Sequence, residues 1–228
     1  HVKTYKMPEV VQLQQEKGIQ HFKFATIAEG EMLGTAGVQS ALLAYQPVGP
    51  KVQRLLELTQ KFPNTKYAAL VDNTASAKNI ASVFVQVGRS LEVYFDIDVC
   101  MHRTGLLPDE KAVELWQFCE SIDGVTPTGL HVYDGHIRDQ DFDKRKARCD
   151  AAFAKAEKLA AQIRTNTGTF PKIIAGGSPT FTVHKDRAQV QCSPGTCLLW
   201  DWGYLHQMPE QKFEPAAVLI SRIISKMD

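Results

Sequence analysis

The chain has 228 residues, of which 44% are hydrophobic and 22% are charged, and its formal net charge is +1 at pH 7. These values are typical of a globular domain with a sizeable core. No basic run is interleaved with aromatic residues, which argues against nucleic acid or an anionic membrane as a partner. No apolar run approaches the length of a membrane span. Five scattered cysteines without a CxxC pair favour a reducing, cytoplasmic compartment.

Predicted helices and strands alternate along the chain. Pro8 suits the first turn of a helix that stops at Gly18. The following strand is predicted at residues 19–26, and Thr26 is a predicted cap for the next helix. Further strands are predicted at residues 41–45, 67–71, 91–99, 129–133, 171–175 and from 190 onward. Helices are predicted at residues 27–36, 52–62, 75–87, 108–118 and 143–164.

This alternation indicates βα units and a parallel sheet. With a truncated strand that would end at Lys3, the count reaches eight strands. Eight strands favour a closed (β/α)8 TIM barrel over an open doubly wound sheet, which often carries an early GxGxxG loop that is absent here. The apolar run at residues 217–225 predicts one more strand, interrupted before its partner. We therefore expect the chain to be one domain of a longer protein.

Residues just past the strands share one mouth of such a barrel. Besides Lys3, these positions hold Thr26, Tyr45, Gln46, Asp72, Asn73, Asp98, Arg103, Tyr133, Asp134 and two turns, Gly-Gly-Ser at 176–178 and Ser-Pro-Gly-Thr at 193–196. The two turns follow the seventh and eighth strands, where barrels commonly bind phosphate because backbone N–H groups close on the anion. Each turn alone is explained by local geometry, but the two positions together favour a phosphate site.

Other side chains at this mouth have two interpretations each. Arg103 could hydrogen-bond a ring nitrogen or phenolate oxygen of a cofactor, or it could pair with a nearby aspartate. Tyr133 offers a flat face for stacking, or it belongs to the core. His131 and His136 lack a carboxylate or cysteine at a diagnostic spacing, which favours structural roles over metal binding.

Seven motifs occur in an order that resembles one enzyme family. They are HVKT at 1–4, IAEGEM at 27–32, YQPVGP at 45–50, IDV at 97–99 with RTG at 103–105, YDGH at 133–136, GGSPT at 176–180 and PGT at 194–196. Together they resemble the D-threonine aldolase and D-serine dehydratase family. These are alanine racemase-type (fold type III) enzymes that use pyridoxal 5'-phosphate, and the resemblance covers nearly the whole chain.

The resemblance implies a set of site residues. Lys3 is the implied catalytic residue, the lysine that forms an imine with the cofactor. Cofactor-binding roles are implied for Lys3, Arg103, Tyr133, Gly177, Ser178, Thr180, Gly195 and Thr196. Cys100 stands where relatives often have glycine, so the local turn is expected to differ.

The resemblance also implies a domain organisation and partners. Residues 1–212 would form the pyridoxal phosphate-binding barrel, and residues 213–228 would begin a truncated C-terminal β-domain. No metal ligand is expected in this chain, because a divalent metal, Mn or Zn, would be bound by residues outside it. The expected assembly is a homodimer.

The implied activity is a lyase that cleaves D-β-hydroxy amino acids such as D-threonine to glycine and an aldehyde. Several alternatives remain open. They are a D-serine dehydratase that yields pyruvate and ammonia, an amino-acid racemase, a non-catalytic pyridoxal phosphate carrier and a barrel that binds a sugar phosphate. A racemase needs a second base on the opposite face of the cofactor, and the sequence does not identify one.

Overall fold

A computed structural model describes residues 1–226 of the chain, in which strands and helices alternate. The strands are β1 (His21–Phe24), β2 (Ser40–Leu43), β3 (Lys66–Val71), β4 (Leu91–Ile97), β5 (Val125–Val132), β6 (Lys172–Ala175) and β7 (Val190–Cys192). The helices are α1 (Pro8–Glu16), α2 (Ile27–Thr35), α3 (Pro50–Lys61), α4 (Thr74–Val85), α5 (Glu110–Glu120), α6 (Phe142–Thr167), α7 (Phe181–His184) and α8 (Trp202–Gln207). Short 3-10 helices cover Val2–Thr4 and Thr196–Leu198.

The seven strands form one parallel sheet in the order β1 to β7, so each strand pairs with its neighbours in the chain. The sheet curls into a barrel that is open between β1 and β7. Two hydrogen bonds cross the opening. The His1 nitrogen donates to the Pro194 carbonyl at 2.9 Å, and the Lys23 ammonium donates to the Ser193 hydroxyl at 3.0 Å. The predicted parallel barrel is thus confirmed, with seven of its strands present.

The strands are buried on both faces, as expected for a parallel sheet covered by helices. Alternate residues such as Phe22 and Phe24 face the helices and belong to the main core. Residues of the opposite parity point into the barrel, where a smaller apolar cluster fills one end. That cluster comprises Leu42, Ala68, Leu70, Tyr94 and Ile174. The apolar filling leaves the other end of the interior to polar side chains.

Helix ends follow the local sequence. The Thr26 hydroxyl accepts a hydrogen bond from the Glu29 nitrogen at 3.3 Å, and the Glu29 carboxylate accepts one from the Ala25 nitrogen at 2.7 Å. This reciprocal arrangement satisfies two donors at the start of α2, and it confirms Thr26 as a helix cap. The aspartate that precedes α6, Asp141, caps its helix in the same way.

Two predicted strands are not found in residues 1–226. The strand expected to end at Lys3 is replaced by the Val2–Thr4 3-10 helix. The strand expected at residues 217–225 is wrong too, because residues 212–226 have no regular secondary structure and the apolar side chains of residues 218–220 are more than 85% exposed. A strand needs a hydrogen-bonding partner, and this run has none among the described residues.

The predicted boundary at residue 212 stays a prediction. The last two residues of the predicted β-domain segment, Met227 and Asp228, lie outside the described residues. Among the described helices, none combines the length and the apolar character that spanning a membrane would require.

Candidate active site

A cavity opens at the carboxyl ends of the strands, between the two turns predicted to bind phosphate and the start of the chain. Seven of the eight predicted site residues line it, and Thr180 does not. The lining residues are His1, Lys3, Thr4, Lys23, Ala44, Tyr45, Arg103, His131, Tyr133, Gly177, Ser178, Pro179, Ser193, Gly195, Thr196 and Tyr204. The structure therefore brings together, in one opening, predicted site residues that are up to 193 positions apart in the chain, Lys3 and Thr196.

Lys3 is placed at the mouth of this cavity by the 3-10 helix that carries it. The neighbouring Val2 is fully buried, and the backbone nitrogen of Lys3 donates a hydrogen bond to the His1 imidazole at 3.2 Å. Desolvation by the surrounding walls, and then the charge of Arg103, lower the pKa of the Lys3 ammonium. The lowered pKa increases the fraction of uncharged amine, the form that attacks an aldehyde.

Arg103 is held over the cavity by a turn that Asp98 organises. The Asp98 carboxylate accepts hydrogen bonds from the backbone nitrogens of Met101 and His102 at 2.8 and 3.0 Å. The Arg103 guanidinium then lies over the Tyr133 ring, 4.8 Å from its centroid, a cation–π contact. Within residues 1–226 Arg103 has no ion-pair partner, so its charge remains available to a ligand.

Cys100 has an unusual backbone conformation for a residue with a side chain. Its φ angle is 81°, in the left-handed region that favours glycine. The expected difference from the turn of the relatives stays a prediction. The cysteine accepts the strain of a positive φ, and its exposed thiol receives the Lys155 ammonium at 3.1 Å.

The two glycine-bearing turns meet at Ser178. Its hydroxyl accepts hydrogen bonds from the backbone nitrogens of Gly195 and Cys197, at 3.4 and 3.2 Å. A side chain at Gly195 would come within 3.1 Å of the His1 carbonyl, and one at Gly177 within 3.2 Å of the Tyr133 ring. Both glycines therefore allow a close approach that a side chain would disturb. The N–H groups of Gly195 and Cys197 converge on one oxygen, the kind of arrangement with which proteins bind anions.

Thr180 supports the first turn from beneath and lies outside the cavity. Its fully buried hydroxyl donates to Asp134 at 2.7 Å and accepts from the Gly177 nitrogen at 3.3 Å. These contacts indicate a supporting position for Thr180, in place of the ligand contact predicted for it. This position could not be predicted from the residue pattern, because only the fold brings Asp134 beneath the turn.

Asp134 also belongs to a buried group of side chains, formed with Cys149 on α6 and His184 on α7. The Asp134 carboxylate and the His184 Nε2 are 2.8 Å apart, and the Cys149 sulfur is 3.3 Å from the same nitrogen. The three ligand atoms lie within 4.8 Å of one another, so the group could hold a metal ion. Their mutual hydrogen bonds satisfy the same atoms that a metal would use. No metal ligand was predicted among these residues.

Sequence reasoning missed a buried polar network on the floor of the cavity. Lys23 on β1 lies 2.8 Å from the Nε2 of His131 on β5, and the other ring nitrogen of His131 lies 2.7 Å from the Asp96 carboxylate. Asp96 also accepts hydrogen bonds from Thr104 at 2.7 Å and from Gln46 at 3.1 Å. The strand pattern did carry a signal, because Lys23 alternates with Phe22 and Phe24.

Burial sets the charge states of this network. Burial, and then the charge of Lys3, lower the pKa of Lys23 to about 7. Burial and the charge of Lys23 lower the pKa of His131 to about 4. Burial opposes ionisation of Asp96, but the hydrogen bonds from His131, Thr104 and Gln46 outweigh it and lower its pKa. At neutral pH the network therefore holds a carboxylate, a neutral imidazole and a lysine poised between its two forms.

The cavity fits an anionic ligand that carries an aldehyde and a phosphate. Three cationic side chains, those of Lys3, Lys23 and Arg103, line it, and among the described lining residues none is acidic. The glycine turns line the same opening as Lys3. Pyridoxal 5'-phosphate combines these two features, so the residues present match the group that the fold implies.

These features define a class of protein, the barrel domain that supports pyridoxal phosphate chemistry in alanine racemases and their relatives. Residues 1–201 match the family described as "Alanine racemase, N-terminal domain". The chain belongs to this family.

Individual members of the family that are similar to this chain include aldolases and a dehydratase. It is 24% identical to a D-threonine aldolase of Arthrobacter sp. over 231 residues, which cover 99% of this chain and 60% of the relative. It is 30% identical to a D-threo-3-hydroxyaspartate dehydratase of Delftia sp. over 115 residues, which cover 50% of this chain and 30% of the relative. The crystal structure of a D-threonine aldolase from Filomicrobium marinum superposes with a TM-score of 0.86 at 26% identity and covers 97% of this chain and 61% of that one. The chain thus spans about 60% of the length of these aldolases.

Proposed function

We propose that the protein containing this chain is a pyridoxal phosphate-dependent lyase that cleaves D-β-hydroxy amino acids such as D-threonine to glycine and an aldehyde. The observation that supports the proposal most is the shared opening of Lys3 and the two glycine-bearing turns. A lysine with a lowered pKa faces the place where a phosphate would be bound. The similarity to D-threonine aldolases supports the choice of reaction.

The cofactor, when bound, supplies an electron-accepting ring that lets a bond at the substrate Cα break. In this proposal Lys3 would be the residue that holds the cofactor covalently, through its uncharged amine. Ser178, Gly195 and Thr196 hold the phosphate through hydroxyl and backbone donors, as Gly177 leaves room for it.

Arg103 and Tyr133 orient the ring in this proposal. The guanidinium stacked on Tyr133 has no carboxylate partner within the described residues, so it can donate hydrogen bonds to the ring's oxygen or nitrogen. A fixed cation beside the ring also adds to the effect of desolvation in lowering the pKa of Lys3, since the two charges repel.

A D-hydroxy amino acid dehydratase is the second candidate. The local 30% identity to the Delftia enzyme favours it over a racemase or a non-catalytic carrier. Dehydration removes the Cα proton and expels hydroxide from Cβ, whereas aldol cleavage breaks the Cα–Cβ bond and removes the hydroxyl proton. Both reactions use the same cofactor site. We retain a divalent metal held outside this chain, a homodimer and a cytoplasmic location as parts of the proposal.

Spectroscopy and turnover of the full-length protein test the proposal. Reconstitution with pyridoxal 5'-phosphate should give a visible absorbance band, and borohydride should fix the cofactor on Lys3, as read by peptide mass. Lys3→Ala should lose the band and lower D-threonine cleavage roughly a thousandfold or more. Lys6→Ala should keep the band, because Lys6 is exposed. Its ammonium donates a hydrogen bond to the Lys3 backbone carbonyl at 2.8 Å, on the surface of the protein.

The products separate the two candidate reactions. Glycine and acetaldehyde from D-threonine identify the aldolase, and a keto acid with ammonia from D-serine or D-threonine identifies the dehydratase. A protein that shows no band with the cofactor, or that is labelled on another lysine, contradicts the proposal.

A further inference from the structure

Lys23 is the one buried lysine among the residues that the structure describes. It lies on β1 with 7% of its surface exposed, and its ammonium points into the barrel at the floor of the cavity. Burying a lysine is unfavourable unless its charge is compensated. A buried lysine in a cavity that lacks acidic lining residues therefore needs an explanation beyond packing.

The hydrogen bonds around Lys23 leave one donor free. Asp96 can only accept, so the His131 nitrogen that faces it carries the proton and the Nε2 accepts from Lys23. The Ser193 hydroxyl donates to the Gly176 carbonyl at 2.8 Å, so it also accepts from Lys23. An ammonium has three N–H donors, and the two bonds use two of them.

The charges that face Lys23 do not balance it. Lys3 and Arg103 repel its charge, while Asp96 and Asp134 attract it from beyond hydrogen-bond distance. Within residues 1–226 Lys23 has no carboxylate partner in an ion pair. The floor of the cavity is therefore short of negative charge, which an anionic ligand would supply.

The position of Ser193 indicates which part of an anionic ligand Lys23 would contact. Ser193 begins the turn that contains Gly195 and Thr196, and its hydroxyl joins Lys23 to the Gly176 carbonyl of the other turn. Lys23 thus lies directly beneath the place where the two turns meet. By position, Lys23 therefore belongs to the part of the cavity that the two glycine-bearing turns form. Arg103 and Tyr133 follow other strands, β4 and β5.

We infer that Lys23 is an additional phosphate-contacting residue, which donates its third N–H to the phosphate group of the cofactor from the floor of the barrel. The inference rests on the proposed function, because it takes the bound ligand to be pyridoxal 5'-phosphate. Ser193 and His131 act as positioning residues that aim the ammonium. The residue pattern alone predicted phosphate binding only by the two turns.

Binding measurements on the full-length protein test the inference. At pH 6.5 we would titrate wild type, Lys23→Gln and Lys23→Met with pyridoxal 5'-phosphate and, separately, with inorganic phosphate by calorimetry. A charge-assisted hydrogen bond contributes enough that its loss weakens binding roughly 10- to 100-fold. We expect that loss for both ligands in both variants. Lys66→Gln, an exposed lysine at the start of β3, should bind both ligands like wild type.

The two variants separate charge from positioning. Gln keeps hydrogen-bond donors without the charge, and Met keeps the length without either. Phosphate affinity restored by Gln would overturn the inference, since Lys23 would then only orient Ser193 and His131. Affinity for both ligands equal to wild type would overturn it too. So would an effect confined to the KM of a dicarboxylic substrate, which would assign Lys23 to the substrate's carboxylate.

The pH dependence of phosphate binding supplies a second test. Lys23 loses its proton near pH 7 in the free protein, and a bound phosphate would hold the proton on. Inorganic phosphate affinity of wild type should therefore fall between pH 7 and 8, relative to Lys23→Gln, by up to about tenfold. An equal pH profile would overturn the inference.

Failure of the proposed function gives a different result. A wild-type protein without a visible band contradicts the proposed function, while the inorganic phosphate titrations still decide the role of Lys23. A normal band with unchanged affinities in Lys23→Gln and Lys23→Met contradicts the inference alone.

Discussion

The molecule contains two buried aspartate–histidine pairs that differ in what surrounds them. His131 and Asp96 are 2.7 Å apart, and His184 and Asp134 are 2.8 Å apart. We call Lys23, His131 and Asp96 the interior network, and Asp134, Cys149 and His184 the sealed cluster. Lys23 and His131 of the interior network line the cavity, and Asp96 lies behind His131. The sealed cluster lies between the sheet and α6, where the Phe153 ring packs against His184 at 5.3 Å.

The comparison shows that burial of a polar pair does not by itself indicate its role. In the sealed cluster the Asp134 carboxylate, the Cys149 thiol and the His184 Nε2 bond to one another, and only the His184 Nδ1 lacks a partner among the described residues. The outcome is a fixed position for Thr180 and the turn above it. In the interior network the same kind of pair leads to a lysine with a donor left over. A spare charge facing a cavity, rather than the pair itself, points to ligand binding.

The largest stability effect should follow from breaking the sealed cluster. Asp134→Ala leaves the Thr180 hydroxyl, the Cys149 thiol and the His184 ring without their acceptor, all of them buried. Removing one partner of a buried charged pair typically costs about 3–5 kcal/mol, so the free energy of unfolding in urea should fall by that amount. Asp123→Ala, at an exposed position after α5, is the control and should change it by less than about 0.5 kcal/mol. A loss below about 1 kcal/mol for Asp134→Ala would show that the cluster does not stabilise the fold.

The interior network should instead show itself in the pH dependence of stability. The pKa of Lys23 is lowered to about 7 from an ordinary value of 10.5. Above pH 7 the unfolded chain therefore binds a proton that the folded protein does not, so stability rises with pH. Relative to Lys23→Met, the wild-type free energy of unfolding should increase by roughly 2 kcal/mol between pH 7 and 9. Parallel profiles for the two proteins would mean that Lys23 titrates normally.

Thiol reactivity should give the smallest but most direct measure of how closed the sealed cluster is. Burial, and then the charge of Asp134, raise the pKa of Cys149 to about 12. Its reaction with Ellman's reagent at pH 8 should be roughly a hundredfold or more slower than that of the exposed Cys100. Cys100→Ser should remove the fast phase. A fast phase that peptide mass assigns to Cys149 would show that α6 opens readily.

Most of the strands, and the residues that share the opening, could be predicted from the sequence. Alternating apolar runs located the strands, and strand ends then predicted that Lys3, Arg103 and the two glycine turns share one opening. The structure places them so. The roles assigned to these residues stay predictions.

The rest depended on the inner face of the barrel. On β1, Phe22 and Phe24 face the helices, so Lys23 faces the opposite way. In a flat amphipathic sheet that direction leads to solvent, and a lysine there needs no explanation. In a closed barrel it leads to the interior, where His131 and Asp96 arrive from distant strands. Periodicity reports which residues share a face, but it does not report what that face encloses.

The contact between Lys23 and Ser193 joins residues that are 170 positions apart, whereas each strand pairs only with its neighbours in the chain. Pairings between consecutive strands can form early, because they close short loops at a small entropic cost. The ends of the sheet can meet only after all seven strands are in place. The floor of the cavity is therefore completed late, and uptake of a phosphate ligand would signal that a newly made chain has finished folding.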